Sequence, residues 1–346
     1  MLFKALLIQI TVIVSPSSRG VLPPVICSMR HIYMCKPRFI RNYLANDICE
    51  FCPASKIKPE VIYSDMRANA GHRAPDMRVS HDQYVASVAG SRRASPWIRH
   101  LGWRLDRNLW DWMHLLLVKG VLSWFFACLL IFLCRLGVFG PPPFDIQLVV
   151  LRRRFKLFLK EHHVQMKLPR RLVAKGFPPC LHGEVKAYAV KLMVYWLCPI
   201  ACGISRPDVP LSEDVAAASY AIWKVFHLLD PSGLILSQAT ADSAAMYGRI
   251  FLTTYSHKLG AYSTSVGLDM WTMKPKFHYW DESLQYMKLS LENPLKQTCM
   301  NEEDLMGKTK KTASQTHSST THMRGLQRHY LEVRRRWRCL ADGVPV

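Results

Sequence analysis

Cys49 and Cys52 form a C-x2-C pair. At that spacing one turn of chain can aim two thiolates at a single metal ion. Cys27, His31, Cys35 and His72 are the nearby residues able to complete a zinc set. No second C-x2-C follows at zinc-ribbon spacing, and His317 and His322 stand far along the chain. The cysteines therefore read first as incidental thiols, with a structural metal as the alternative. Cys128 and Cys134 sit in an apolar run and read as buried. Glu161, His162 and His163 adjoin one another, but neighbouring helical residues point in different directions, so they read as surface. The sequence has no G-x-G-x-x-G, Walker loop, G-x-S-x-G or H-E-x-x-H, which argues against the common nucleotide-binding and hydrolase classes.

Charge points to a partner class. Lys plus Arg number 46 against 25 Asp plus Glu in 346 residues, a formal net charge of +21. A basic chain favours nucleic acid or anionic lipid over basic partners. The densest runs are Arg152, Arg153, Arg154 and Lys156, and then Arg334, Arg335, Arg336 and Arg338, with Tyr330 and Trp337 near the second. Each neutralised phosphate would release counterions, and the aromatics could stack on bases. Solvated surface is the plain alternative. Eleven cysteines in a chain of this length do not make a small disulfide scaffold.

The elements that must position these residues follow from periodicity. Residues 1–14 have the shape of a short secretory signal, with a β-strand or misplaced start as the alternative. Residues 15–108 show no sustained period, and loop with poor order around 53–100 is expected. Residues 110–140 hold the most apolar segment, with 15 uncharged residues between Lys119 and Arg135. An apolar helix over 113–139 is expected. Residues 120–139 could lie in a core, or could span a bilayer, which takes ~20 apolar residues. Pro141, Pro142 and Pro143 end it. An amphipathic basic helix follows, with Leu151, Phe155, Phe158 and Leu159 on one face. Residues 210–259 read as a helical hairpin, N-capped at Ser212 and Ser237 and broken at Asp230-Pro231-Ser232-Gly233. Residues 274–291 put Phe277, Trp280, Leu284, Met287 and Leu291 on one face. Residues 307–323 read as a flexible Ser/Thr-rich linker before a basic tail.

Two motifs carry a family likeness. Asp111-Trp112-Met113-His114 begins a D-x-M-H-x5-G-V pattern, and Lys274-Pro275-Lys276-Phe277-His278 gives K-P-K-x-H. Asn293-Pro294 and Glu303-Asp304-Leu305-Met306-Gly307 follow in order. Together they resemble transposase-like proteins abundant in dinoflagellate genomes, relatives of the CACTA and Kyakuja-Dileera-Zisupton transposases. The likeness spans roughly residues 105–338.

The resemblance implies an RNase H-like fold in which carboxylates hold divalent metal, Mg²⁺ by preference, for phosphoryl attack. Asp111 matches the second carboxylate, with His114 beside it, and Glu184 is the nearest match to the third, so Asp111 and Glu184 are the candidate metal ligands; for Asp111 an ordinary N-cap before the apolar helix is the alternative. Asp65, Asp76 and Asp82 do not match the first. With that carboxylate missing, a degenerate copy is expected: catalytically inert, without cofactor, and retaining DNA binding through Arg152, Arg153, Arg154, Lys156, Lys274, Lys276, Arg334, Arg335 and Arg336. The expected fold is mainly α (α+β). A poorly structured 1–104 precedes a degraded RNase H-like remnant at 105–205, a helical region at 206–306, and a linker and basic tail at 307–346. Transposase descent places the protein in the nucleus; a bilayer-spanning 120–139 would place it in a membrane. No small-molecule ligand is inferred.

Overall fold

Apolar residues at helical spacing produce helices close to where the pattern puts them. The computed structural model describes residues 46–89, 104–107, 110–174 and 178–298, together with Leu331 and Arg334. All the described residues except Leu331 and Arg334 fall in one compact unit, within 28–298. Leu331 and Arg334 are helical and exposed. The signal-like start, Cys27, His31, Cys35, the 307–323 linker, Arg335 and Arg336 lie outside the described residues.

Eight α-helices are described: α1 (His81–Ala89), α2 (Val121–Arg135), α3 (Phe144–Glu161), α4 (Ala187–Gly203), α5 (Ser212–Leu229), α6 (Gln238–Thr254), α7 (Ala261–Ser265) and α8 (Pro275–Ser290). Short 3-10 turns and π-helical turns at Met113–Leu117 and Tyr255–Gly260 join them. Among the described residues the fold is mainly helical, with isolated β-bridges and no strand.

The apolar segment is not one continuous helix over 113–139. The π-turn at Met113–Leu117 ends in a bend, and α2 starts afresh at Val121. Gly120 makes the bend, because a Cβ there would overlap the backbone of Leu115 and Leu116. By length and composition Met113–Arg135 could cross a membrane, yet 72% of its most apolar window is buried inside the protein. Phe125 shows why: its ring packs edge-on to Phe251 at 5.0 Å and lies 5.7 Å from Trp271. Tyr255 and Phe277 extend this aromatic core at 4.4 Å. A second cluster joins Phe155 of α3 to Trp196 of α4 at 4.9 Å.

The expected hairpin of α5 and α6 forms. Ser237 caps α6, its hydroxyl accepting from the Thr240 N–H at 3.2 Å. Ser212 is not a cap. It is the first residue of α5, after a left-handed Leu211, and its hydroxyl accepts from the Arg206 N–H at 2.6 Å. The hydroxyl thus holds the preceding loop rather than the helix end. At the far end Asp230 accepts from Lys191 Nζ at 2.6 Å and from the Tyr195 hydroxyl, clasping α4 to the hairpin.

Helix α8 lies close against α6, where Gly248 faces Leu284. A Cβ at 248 would sit 2.8 Å from Leu284 Cδ2. Gly248→Ala should therefore lower stability by about 1–3 kcal/mol through overpacking, despite alanine's better helix propensity. Chemical denaturation of Gly248→Ala, Leu284→Ala and the double variant checks this. The double variant should lose less than the sum of the singles, because shortening Leu284 opens room for the added methyl.

Candidate functional site

The segment 46–80 lies where the sequence predicts loop, with poor order around 53–100. It is instead a knot of turns with its own small core of Ile48, Cys49, Cys52 and Ala54, packed by Phe51 and Tyr63. Backbone bonds close it, among them Ile48 N–H to Ala54 O at 3.0 Å and Tyr63 N–H to Ser55 O at 2.9 Å. Such short-range turns carry no period, which is why the pattern hides them. Polar bonds then strap the knot to the helices. The Ser256 hydroxyl donates to Ser64 O at 2.6 Å, the Tyr63 hydroxyl to Met273 O at 3.0 Å, and the Met66 N–H to His257 Nε2 at 3.2 Å.

This packing carries the C-x2-C pair onto α8. Cys49, Cys52, His278 and Glu282 are all buried, and their ligating atoms lie within 4.8 Å of one another. Cys52 Sγ is 3.3 Å from His278 Nε2, and that nitrogen is 3.8 Å from Glu282 Oε1. Phe51 N–H points at Cys49 Sγ at 3.4 Å. His278 and Glu282 stand four apart on one helix, so both face the knot. Glu282 Oε2 pairs with Arg78 Nη1 at 2.8 Å. Next to it Asp281 pairs with Arg73 Nη2 at 2.6 Å, also buried. Burial raises the Asp281 carboxyl above its usual range, with Arg73 opposing. His72 stacks edge-on to His278, centroids 4.8 Å apart. Desolvation pushes His72 down to about 4. His72 thus walls the cluster without joining it. The C-x2-C was legible in the sequence; its partners on α8, over 200 residues away, were not.

The candidates drawn from the family likeness have other duties. Asp111 is buried. Its Oδ2 lies 2.6 Å from His114 Nδ1, and its Oδ1 accepts the Met113 N–H at 3.1 Å. Glu184 is exposed, its carboxylate 3.9 Å from His182 Nδ1. Among the described residues, Cys49, Cys52, His278 and Glu282 are the one set of three or more ligating side chains gathered around a common point, and it includes neither Asp111 nor Glu184. Lys276 is not presented for phosphate. Its Nζ donates to the carbonyls of His114 at 2.7 Å, Lys119 at 3.1 Å and Val118 at 3.2 Å, and burial pushes it down to about 8. The amine closes the open end of the Met113–Leu117 turn. Lys274 Nζ lies 5.0 Å over the Trp124 ring. Asn293 is buried and donates to Leu229 O at 2.8 Å and Gly233 O at 3.0 Å, fastening the α5–α6 loop.

The basic run on α3 is divided. Arg152 turns back, its Nε donating to Pro169 O at 2.7 Å. Arg154 lies 5.7 Å over the Phe139 ring, with Nη1 on Val138 O at 3.3 Å. Arg153, Arg154, Lys156 and Lys160 are exposed.

Asp111→Ala should destabilise by about 1–3 kcal/mol, because it strands the buried Met113 N–H and loosens His114. Glu184→Ala should stay within about 0.5 kcal/mol. Urea unfolding of both variants measures the difference. Asp65 gives the knot a pH dependence: the Arg67 guanidinium beside it holds its carboxyl down, from 3.8 to about 2. A depressed carboxyl contributes stability above its unfolded value and loses that contribution as pH falls through the folded one. The contribution should be complete above about pH 4 and fade toward pH 2. Asp65→Asn should flatten that acid limb of stability against pH, read by thermal melts across the window.

Compared with known proteins, no family model, no curated protein and no solved structure matches this chain.

Proposed function

We propose that the chain is a transposable-element-derived protein, without nuclease activity, that binds the DNA backbone through the exposed face of α3 and the loop after it. The observation that carries this reading is the division of α3. Leu151, Phe155 and Leu159 are buried, while Arg153, Arg154, Lys156 and Lys160 are exposed, and exposed Lys167, Arg170 and Arg171 continue the same stretch. Residues 144–171 hold eight Lys/Arg against two Asp/Glu. A helix anchored by one face and cationic on the other suits phosphate contacts that fix position without reading bases.

Inactivity is supported by the use the fold makes of Asp111 and by the exposed position of Glu184. A two-metal centre needs converging carboxylates, and Mg²⁺ would have no part without them. Descent from an RNase H-like transposase core belongs to the proposal and rests on the order of the motifs. Nuclear localisation follows from it. The bilayer-spanning reading of 120–139 has less support, because the apolar stretch is enclosed by other helices.

Duplex binding measured across a salt series tests the reading. Affinity should fall linearly in log–log form by about 0.9 per phosphate neutralised. A triple variant, Arg153→Gln, Lys156→Gln and Lys160→Gln, should make the slope shallower by about 2–3. Binding that is absent at low salt, or indifferent to salt, removes the DNA assignment. Mg²⁺-dependent nicking that disappears in Asp111→Asn removes the inactivity.

A further inference from the structure

We propose that Cys49, Cys52, His278 and Glu282 form a structural zinc centre that fastens the N-terminal knot to helix α8. The ligand set is complete: two sulfurs, one nitrogen and one oxygen. For tetrahedral zinc, with bonds of about 2.0–2.3 Å, neighbouring ligand atoms should lie roughly 3.3–3.8 Å apart. The Cys52–His278 and His278–Glu282 separations, 3.3 and 3.8 Å, fall in that range. The widest separation, 4.8 Å, closes with side-chain adjustments of about an ångström.

The surroundings fit a metal better than four protonated or neutral groups. Glu282 is buried and divides its oxygens: Oε2 takes Arg78, while Oε1 lies 3.8 Å from His278 Nε2 and accepts no hydrogen bond. Such an oxygen costs desolvation unless something cationic meets it. The Phe51 N–H aimed at Cys49 Sγ is the kind of outer-sphere donor that steadies a metal-bound thiolate. Charge also closes. Two thiolates and one carboxylate bring three negative charges; zinc and Arg78 bring three positive. Binding releases the two thiol protons to water and changes no oxidation state. Soft sulfur ligands favour zinc over Mg²⁺ or Ca²⁺. Four protein ligands leave no open position, so the centre holds structure rather than activating water.

The test uses the full chain, expressed with zinc and purified without chelator. Elemental analysis should find one zinc per chain. Cobalt substitution should give the thiolate charge-transfer and d–d bands of a tetrahedral site. Alkylation mapped by mass spectrometry should find Cys49 and Cys52 protected with zinc and reactive after chelation. These readouts use the native sequence and do not depend on a variant that fails to fold. Glu282→Gln should keep the thiolate bands and weaken cobalt affinity by about tenfold or more. Near-zero metal with equal alkylation in zinc and chelator overturns the proposal. So does iron in place of zinc, or a Cys49–Cys52 disulfide.

Discussion

Helix α8 has no exposed residue from Phe277 to Met287. Phe277, His278, Trp280, Asp281, Glu282, Ser283 and Leu284 are all buried. Polar side chains buried in this way cost free energy unless they find partners. Asp281 takes Arg73, Glu282 takes Arg78, Ser283 takes the Trp112 indole, and His278 takes Cys52. Removing Arg73 from its buried pair with Asp281 costs about 3–5 kcal/mol, because a charge is left without water or counter-charge, whereas Arg78 reaches Glu282 from the solvent side. The knot at 46–80 and the turn at 110–117 are thereby obliged to stay on α8. Much of the remaining arrangement follows, since α8 also packs on α6 and the aromatic core around Phe125 and Tyr255.

The same helix shows how far the amino-acid pattern reaches. Its period marks Phe277, Trp280, Leu284 and Met287 as core, and all four are buried. Leu291 departs from that face: it is the left-handed residue closing the helix. His278, Asp281 and Glu282 look like a solvated face because they are polar. What covers them lies more than 200 residues away, and no local period records a partner at that distance. The C-x2-C spacing is local and so was visible. The H-x3-E half of the cluster is one helical turn among many. The bend at Gly120 was hidden for a related reason: an apolar run reads alike whether it is one straight helix or two pieces folded at a backbone contact.

The described motif residues behind the transposase likeness acquire a physical explanation of their own, while Glu303–Gly307 lie outside the described residues. Asp111 holds the start of the Met113–Leu117 turn and Lys276 closes its end through three carbonyls. His278 meets Cys52, and Asn293 fastens the loop between α5 and α6. Each is a buried or half-buried polar group that answers backbone or side-chain valences the helices leave open. Groups of that kind are costly to replace singly, because substitution strands a partner inside the protein. Residues first singled out as chemical candidates can therefore be held in place by folding alone. An inert protein could keep them for as long as it must fold.

Burial separates the two basic features of the chain. Lys276 is cationic and sits in a family-like motif, yet its amine is spent on carbonyls and its burial favours the neutral form. The α3 residues belong to no motif, yet Arg153, Lys156 and Lys160 stay in water while Leu151, Phe155 and Leu159 anchor the helix. Phosphate attraction depends on charge held at the surface, where counterions can be exchanged, and not on charge counted along the sequence. A face that the fold does not consume is the one able to act on a partner, and on that criterion the exposed side of α3 outranks the motif lysine.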